Sequence, residues 1–316
     1  MKKIFIAMMA MAAFAACATE DTIVTPQGAA IAFGDAFVDN STKAIYENGA
    51  VPTQFKVWGN VVGQNTVALY SNDGANVQGT GVGNVYTCEE VRYWTPSCTF
   101  NFAAIAHGTP KTVVNGLPTV ISYTADGVSD LLYATASAET DSSGVPTGTI
   151  ATIGQDKVVA FTFKHLLSRV AFKFTVASDL NEDYSYDVTD VEVAGAFATG
   201  ECTPAGVWSE QDGTMADPLT FGDVTEVATA GSSAEGAYVI IPGTPTLTIT
   251  FTAVCKLNGD TIKTYNYTKT VDAQEFLANH AYTFVAELPL PGKEIKFTVV
   301  NVDGFTTPAN GDVTVE

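Results

Sequence analysis

The sequence predicts an all-β protein. Short runs rich in Val, Ile, Thr, Tyr and Phe recur along its 316 residues, and Gly, Asn, Asp and Pro separate them. The run 246–252 alternates strictly between bulky apolar residues and threonines, which is the pattern of a strand in a sheet with one buried face. No long stretch keeps a helical period, and we expect only short helical turns near 129–136 and 274–279. The predicted architecture is therefore built from β-sandwiches.

The chain is strongly acidic. It has 34 Asp and Glu residues against 15 Lys and Arg, a formal net charge of -19 at pH 7. Nucleic acids and anionic membrane surfaces are bound through clustered basic side chains, so this balance argues against both as partners. Hydrophobic residues make up 46% of the chain, enough apolar surface for a folded protein. No apolar run of about 18 residues follows residue 17, so no membrane-spanning helix is expected.

The amino-terminal segment has the pattern of an export signal. Residues 1–3 are positively charged, 4–14 form an apolar run too short to span a bilayer comfortably, and two alanines precede Cys17. Small residues before a cysteine resemble a bacterial lipobox, in which the cysteine is lipidated and becomes the mature amino terminus. An ordinary signal peptide with an incidental cysteine is the alternative. Lipidation followed by the acidic tether 18–21 predicts a protein anchored to the membrane rather than spanning it.

No motif for catalysis or metal binding is present. His107, His165 and His280 lie far apart, and nucleophile-elbow, P-loop and dinucleotide motifs are missing. The acidic segment 179–187 has oxygen ligands that calcium could use, although a solvated hairpin turn has the same composition. We therefore predict no catalytic residues, no cofactor and no metal site, and an enzyme is not expected.

Four cysteines follow Cys17, and none has the close spacing of a metal or redox motif. Cys88 and Cys98 flank a short segment and could pair across a hairpin in an oxidising compartment. Buried free thiols explain the same two residues equally well. The sequence leaves this choice open.

The first predicted strand of the mature chain, 29–37, carries Ile31, Phe33 and Phe37, which alternation places on one face. A polar segment follows it and contains Lys43, the first basic residue after the leader. A trypsin-like protease that cuts ahead of the first domain would therefore meet Lys43 first. A surface lysine without any role in processing is the alternative.

The carboxyl terminus also ends in strands. The run 293–300 is strand-like, a Gly- and Pro-containing stretch breaks the pattern, and 312–316 is a last short strand. Without a partner this last strand would be a frayed tail.

A loop at 144–155 separates two strand-rich halves, each of which opens with an alternating strand, a turn and a second strand. We place the domain boundary near residue 163.

Several segments of the chain share their pattern and their order with a known family. They are the lipobox with Ser41-Thr42-Lys43-Ala44, Tyr93-Trp94-Thr95-Pro96 running into Phe102-Ala103-Ala104-Ile105-Ala106, Asp130-Leu131-Leu132-Tyr133-Ala134, the run 161–170, Tyr238-Val239-Ile240-Ile241-Pro242, and Asn279-His280-Ala281-Tyr282-Thr283-Phe284. Together these segments, which cover nearly the whole mature chain, resemble the fimbrillin family of Bacteroidales, the subunits of type V pili.

The resemblance implies two tandem transthyretin-like β-sandwich domains behind a lipoprotein signal peptide, 1–17. The first domain, 18–163, would have a removable first strand, and the second, 164–316, a terminal donor strand. Cleavage between Lys43 and Ala44 would release the first strand. The vacated groove would then accept the carboxyl-terminal strand of the next subunit.

Our hypothesis for the donor strand is the segment 305–316, with Val313 and Val315 as its alternating apolar anchors. The implied partners are other pilin subunits, either copies of this chain or related pilins, and a trypsin-like maturation protease. The lipid would hold the precursor in the outer membrane before the subunit joins a fimbrium at the cell surface, with a role in adhesion.

The alternative function is that of a surface lipoprotein that does not polymerise, which could be a pilus anchor, a tip adhesin or a glycan-binding module. Trp58, Trp94 and Trp208 are the side chains that could stack on a sugar, although core packing is the commoner use of tryptophan.

Overall fold

The computed structural model describes residues 28–38, 52–80, 85–153, 156–228, 230–303 and 314–315, and all of their regular structure is β-strand. The predicted all-β class is confirmed. The strands in chain order are β1 (Ala32–Val38), β2 (Gln54–Val62), β3 (Thr66–Ala68), β4 (Ala75–Gly79), β5 (Val85–Cys88), β6 (Thr99–Ala106), β7 (Thr109–Val114), β8 (Leu117–Thr124), β9 (Leu132–Thr140), β10 (Pro146–Gly148), β11 (Ile150–Ile153), β12 (Asp156–His165), β13 (Ser168–Val176), β14 (Tyr184–Ala194), β15 (Thr199–Cys202), β16 (Trp208–Asp212), β17 (Leu219–Phe221), β18 (Ser232–Ser233), β19 (Tyr238–Ile240), β20 (Leu247–Leu257), β21 (Asp260–Val271), β22 (His280–Leu288), β23 (Lys296–Asp303) and β24 (Thr314–Val315).

The two predicted helical turns are wrong. Most of 129–136 belongs to β9, where buried and more exposed side chains alternate with the period of two that a strand requires. The segment 274–279 is a loop between β21 and β22, and its Phe276 forms an isolated bridge with Gly243.

The largest sheet closes on itself. Its strand order is β10-β9-β6-β2-β4-β5-β1-β12-β11, and β9 also pairs with β12. The pairings therefore run in a ring through β1, β5, β4, β2, β6, β9 and β12. Closure leaves no free edge between neighbouring members of the ring, and it makes each of them necessary to the hydrogen-bonded circuit.

The interior of this ring is filled by aromatic side chains. Their rings meet mostly edge to face, with Phe55 and Phe163 at a centroid distance of 5.3 Å and Trp94 and Phe100 at 4.8 Å. Such pairs contribute roughly 0.5–1.5 kcal/mol beyond the area that they bury. The alternation of the strands places these residues inside, because polar residues occupy the intervening positions.

Two sheets lie wholly within the carboxyl-terminal half. One has the order β18-β13-β22-β23-β24, with β19 also on β13, and the other has the order β17-β14-β20-β21. One hydrophobic core joins them, with Phe172 and Phe174 of the first sheet against Phe251 of the second. The strictly alternating run predicted around 246–252 lies in β20, whose buried positions recur at every second residue.

The two halves share a pairing scheme. The first strand of the ring, β1, is parallel to its last strand, β12, and β13 is parallel to β22 in the same way. In each half the second strand pairs with a later strand, β2 with β6 and β14 with β20. The predicted boundary near residue 163 lies inside β12, and Leu166 and Leu167 alone connect that strand to β13.

The halves are joined by more than this connection. A small sheet of order β16-β15-β8-β7 takes two strands from each half, and a core cluster that includes Trp58, Ile121 and Ile241 lies at the junction. Asp130 and His165 are both fully buried there, with 2.5 Å between Oδ2 and Nδ1. A buried polar pair of this kind is stable only while both members are present, because either one alone is left desolvated.

Asp130→Ala should lower the free energy of unfolding by about 3–5 kcal/mol, since it removes one member of this buried pair. Urea unfolding followed by tryptophan fluorescence measures the loss. Asp156→Ala, which removes an exposed carboxylate at the start of β12, is the matched control and should change stability by less than about 0.5 kcal/mol. Equal effects of the two substitutions would show that the pair has no structural role.

Candidate functional site

Strand β1 lies in the interior of the ring sheet, with a neighbour on each side. It is parallel to β12, with Ala32 opposite Val158 and Phe33 opposite Val159, and antiparallel to β5, with Phe33 opposite Tyr86. A strand in this position forms backbone hydrogen bonds with both neighbours. Its removal would expose two unpaired edges at once and open the ring.

Apolar side chains at the start of β1 fill the ring from within. Ile31, which directly precedes the strand, is 5% exposed, and Phe33 is 1% exposed. The Phe33 ring lies 5.8 Å from that of Phe102 and 5.9 Å from that of Phe161, measured between centroids. Complete burial of side chains of this size stabilises the fold by about 1.5–3 kcal/mol each.

The third apolar residue predicted on this face has a different place in the ladder. The register of β1 on β12 shifts by one residue between Gly34 and Phe37, and Phe37 is paired with Thr162. Phe33 and Phe37 are four residues apart, but their partners Val159 and Thr162 are three residues apart. Simple alternation relative to β12 therefore does not continue along the whole strand. The side chain of Phe37 is outside the described part of the structure.

The start of β1 is held by the segment Arg92–Trp94, which overlaps Tyr93-Trp94-Thr95-Pro96 of the family resemblance. The amide of Ile31 donates to the carbonyl of Arg92 at 2.7 Å, and the amide of Trp94 donates to the carbonyl of Ala29 at 3.0 Å. Gly28 lies so close that a Cβ there would be 1.9 Å from the carbonyl oxygen of Trp94. Only glycine fits this approach.

Arg92 is itself fixed. Its guanidinium pairs with Glu90, donates through Nε to the carbonyl of Leu69, and lies 5.3 Å from the centroid of the Tyr70 ring. The segment that holds β1 is therefore anchored to the ring through several contacts. No sequence motif marks Arg92, because its contribution to β1 is a backbone carbonyl.

The remaining residues of the predicted processing sites lie elsewhere. Cys17, Lys43, Ala44 and Val313 are outside the described residues. Val315 belongs to β24, which is paired with β23 through Val315 opposite Val299 and Thr314 opposite Val300. In the rest of its length β23 has one neighbour among the described residues, β22.

The residues considered for other chemistry have structural contacts. Asp179 pairs with Lys293 at 2.8 Å and Asp187 with Lys256, and no cluster suited to a metal ion occurs among the described residues. Lysine ammonium groups at these carboxylates occupy the place that a cation would need.

The aromatic and thiol candidates are also part of the fold. Trp58 and Trp94 are buried, and the indole of Trp208 donates to the carbonyl of Leu166 at 2.7 Å. Cys88 and Cys98 are free thiols, as are the two later cysteines. Burial raises the pKa of Cys202 to about 12, so this thiol is protonated at neutral pH. No helix within the described residues is long and apolar enough to cross a membrane.

Comparison with known proteins identifies the family. A sequence model of the fimbrillin-like family matches residues 42–303, well over half of the chain. The chain belongs to the fimbrillin-like family. The resemblance drawn from the sequence segments is thereby confirmed. No curated protein sequence matches the chain.

Solved structures resemble this fimbrillin-like protein in fold. A candidate cell adhesion protein of Bacteroides ovatus has a TM-score of 0.55 at 16% identity, covering 89% of this chain and 99% of its own. A fimbrial protein of Bacteroides vulgatus has a TM-score of 0.54 at 15% identity, covering 87% of this chain and 99% of its own. The match extends over nearly the whole of both relatives.

Phe33→Ala should destabilise the protein by about 3–5 kcal/mol, because it leaves a cavity among packed aromatic rings. The midpoint of urea unfolding measures the change. Val85→Ala on the adjacent strand β5, where the side chain is 37% exposed, is the control and should cost no more than about 0.5 kcal/mol. A Phe33→Ala variant as stable as the Val85→Ala variant would mean that β1 does not support the ring.

Proposed function

We propose that this fimbrillin-like protein is a structural subunit of a cell-surface pilus of type V, with a role in adhesion, and that its subunits polymerise by strand exchange. The single observation that carries the proposal is the place of β1, which is an interior member of a closed sheet and yet the first strand among the described residues. A first strand can be separated from the rest by one cut. The fimbrial and adhesion descriptions of the two similar structures support the same function.

The first steps concern export and processing. The precursor is lipidated at Cys17 and held in the outer membrane by the lipid. A trypsin-like protease then cuts between Lys43 and Ala44, in the connection between β1 and β2. Lys43 is the only basic residue between these two strands, so a protease of this specificity has one target there.

The cut changes how β1 is held. Before cleavage β1 is part of the same chain as its neighbours, and its pairing is intramolecular. After cleavage it is a separate peptide that carries Ile31, Phe33 and Phe37 and can be replaced by another strand. The replacement restores the hydrogen bonds of β5 and β12 and refills the apolar positions in the ring.

The incoming strand comes from the carboxyl-terminal stretch of the next subunit, for which the sequence predicts 305–316 with Val313 and Val315 as anchors. Donor and acceptor are different surfaces, so the contact is head to tail and does not close on itself. Repetition of such a contact produces a filament. We take residues 18–163 and 164–316 as two transthyretin-like domains, a division supported by their shared parallel pairing of first and last strands.

Lys43→Ala should block both maturation and polymer formation. The purified chain is incubated with a trypsin-like protease, its new amino terminus is sequenced, and polymers are detected as ladders on unboiled SDS gels. The parent chain should begin at Ala44 and form ladders. Lys56→Ala, which changes the next lysine along the chain on β2, should behave like the parent. Ladders from the Lys43→Ala variant would contradict the proposed processing site.

A further inference from the structure

The slot occupied by β1 sets three requirements for any strand that replaces it. At the position of Ile31 the strand must supply a backbone N–H, because this group donates to the carbonyl of Arg92 at 2.7 Å. It must place bulky apolar side chains at the positions of Ile31 and Phe33, which are 5% and 1% exposed. It must also continue beyond Gly34, because β1 pairs with β12 as far as Val38.

The last residues of the chain meet these requirements only in part. The pair Val313 and Val315 has the right spacing for the two apolar positions, but a valine in place of Phe33 would leave much of the volume of the aromatic ring empty.

A segment earlier in the chain meets all of them. Ile295-Lys296-Phe297 has the same two apolar residues at the same spacing as Ile31-Ala32-Phe33. Ile295 has an N–H group, and β23 continues for six residues beyond Phe297. When Ile295 and Phe297 take the positions of Ile31 and Phe33, Thr298 takes the position of Gly34, opposite Ala160 of β12.

The pairing scheme of the two halves shows that β23 is additional. The ring ends with β12, and the counterpart of β12 is β22, because each is parallel to the first strand of its half. β23 follows β22 in the chain, and no strand follows β12 within the ring in this way. β23 also lies near the edge of its sheet, since within the described part of the chain its far side is covered only by the two residues of β24.

The side chains of β23 are less buried where they are than they would be in the slot. Ile295, Phe297 and Val299 pack against the carboxyl-terminal core but are only partly buried. The ring of Phe297 lies 5.9 Å from that of Phe284 and 6.4 Å from that of Tyr267. Transfer to the positions of Ile31 and Phe33 would give up these contacts and the pairing with β22. It would gain two neighbouring strands, β5 and β12, and an aromatic cluster that is nearly closed to solvent.

We infer that the donor strand is β23 with Ile295, supplied by a second copy of this chain, and that Ile295 and Phe297 take the positions of Ile31 and Phe33. The inference rests on the proposed strand exchange and names its partner: the slot fits a strand of the same sequence, so the chain assembles with itself. The residues 305–316 then follow the donor strand rather than form it.

Two double variants test which segment lies in the slot. Thr298→Cys with Ala160→Cys forms a disulfide between subunits if β23 is the donor, because Thr298 then takes the position of Gly34 opposite Ala160. Glu316→Cys with Ala160→Cys does the same if Val313 and Val315 take the positions of Ile31 and Phe33. Adjacent strands lie about 4.8 Å apart, within the range of about 4.4–6.8 Å between Cα atoms that a disulfide spans. Within one folded chain Thr298 is paired with Val285, so a link to residue 160 must come from another copy.

Each variant is purified as a single chain, treated with the trypsin-like protease, oxidised, and analysed by mass spectrometry of its disulfide-linked peptides. We expect a 160–298 link between subunits and ladders that withstand boiling until reductant is added. A 160–316 link, or ladders that contain neither link, would overturn the inference and leave strand exchange standing. No ladders from the parent chain would refute the proposed function, and the inference with it.

Discussion

Closure of the ring sheet depends on the parallel pairing of β1 with β12. This pairing joins the two ends of the circuit, because among the described residues β5 and β12 are connected by hydrogen bonds only through the strand between them. The aromatic core follows from it, since Phe33 reaches Phe102 and Phe161 only from that position. The segment around Arg92 then secures the start of the strand. A strand at the beginning of the chain thus completes a structure whose other members come from the next 130 residues or so.

Alternation in the sequence was sufficient to predict strands and, for β1, which of its first residues face inward. Ile31 and Phe33 are buried as the pattern requires. The same rule gives no sign that the register of β1 on β12 shifts by one residue between Gly34 and Phe37. A bulge of this kind depends on the partner strand, which lies more than 120 residues away in the chain. Local sequence contains no information about that partner.

The contacts between the halves were also beyond prediction. Alternation can show that the residues of β8 and β15 form strands, but it cannot show that these two strands pair with each other. In the sequence His165 stands alone, because Asp130, its buried partner, lies 35 residues earlier in the chain. Segments that resemble a family identified the family. The contact of Arg92 with the start of β1 involves only main-chain atoms, which no residue type reveals.

The direction of β1 has a mechanical consequence. If the strand in this slot belongs to a neighbouring subunit, it is tethered to that subunit at its amino end, whereas β12 continues at its carboxyl end through Leu166 and Leu167 into the rest of its own subunit. Because the two strands are parallel, tension along a filament pulls them from opposite ends. The hydrogen bonds between them are then loaded in shear and must break together rather than one after another. A fibre built in this way resists stretching along its axis with the whole length of each strand.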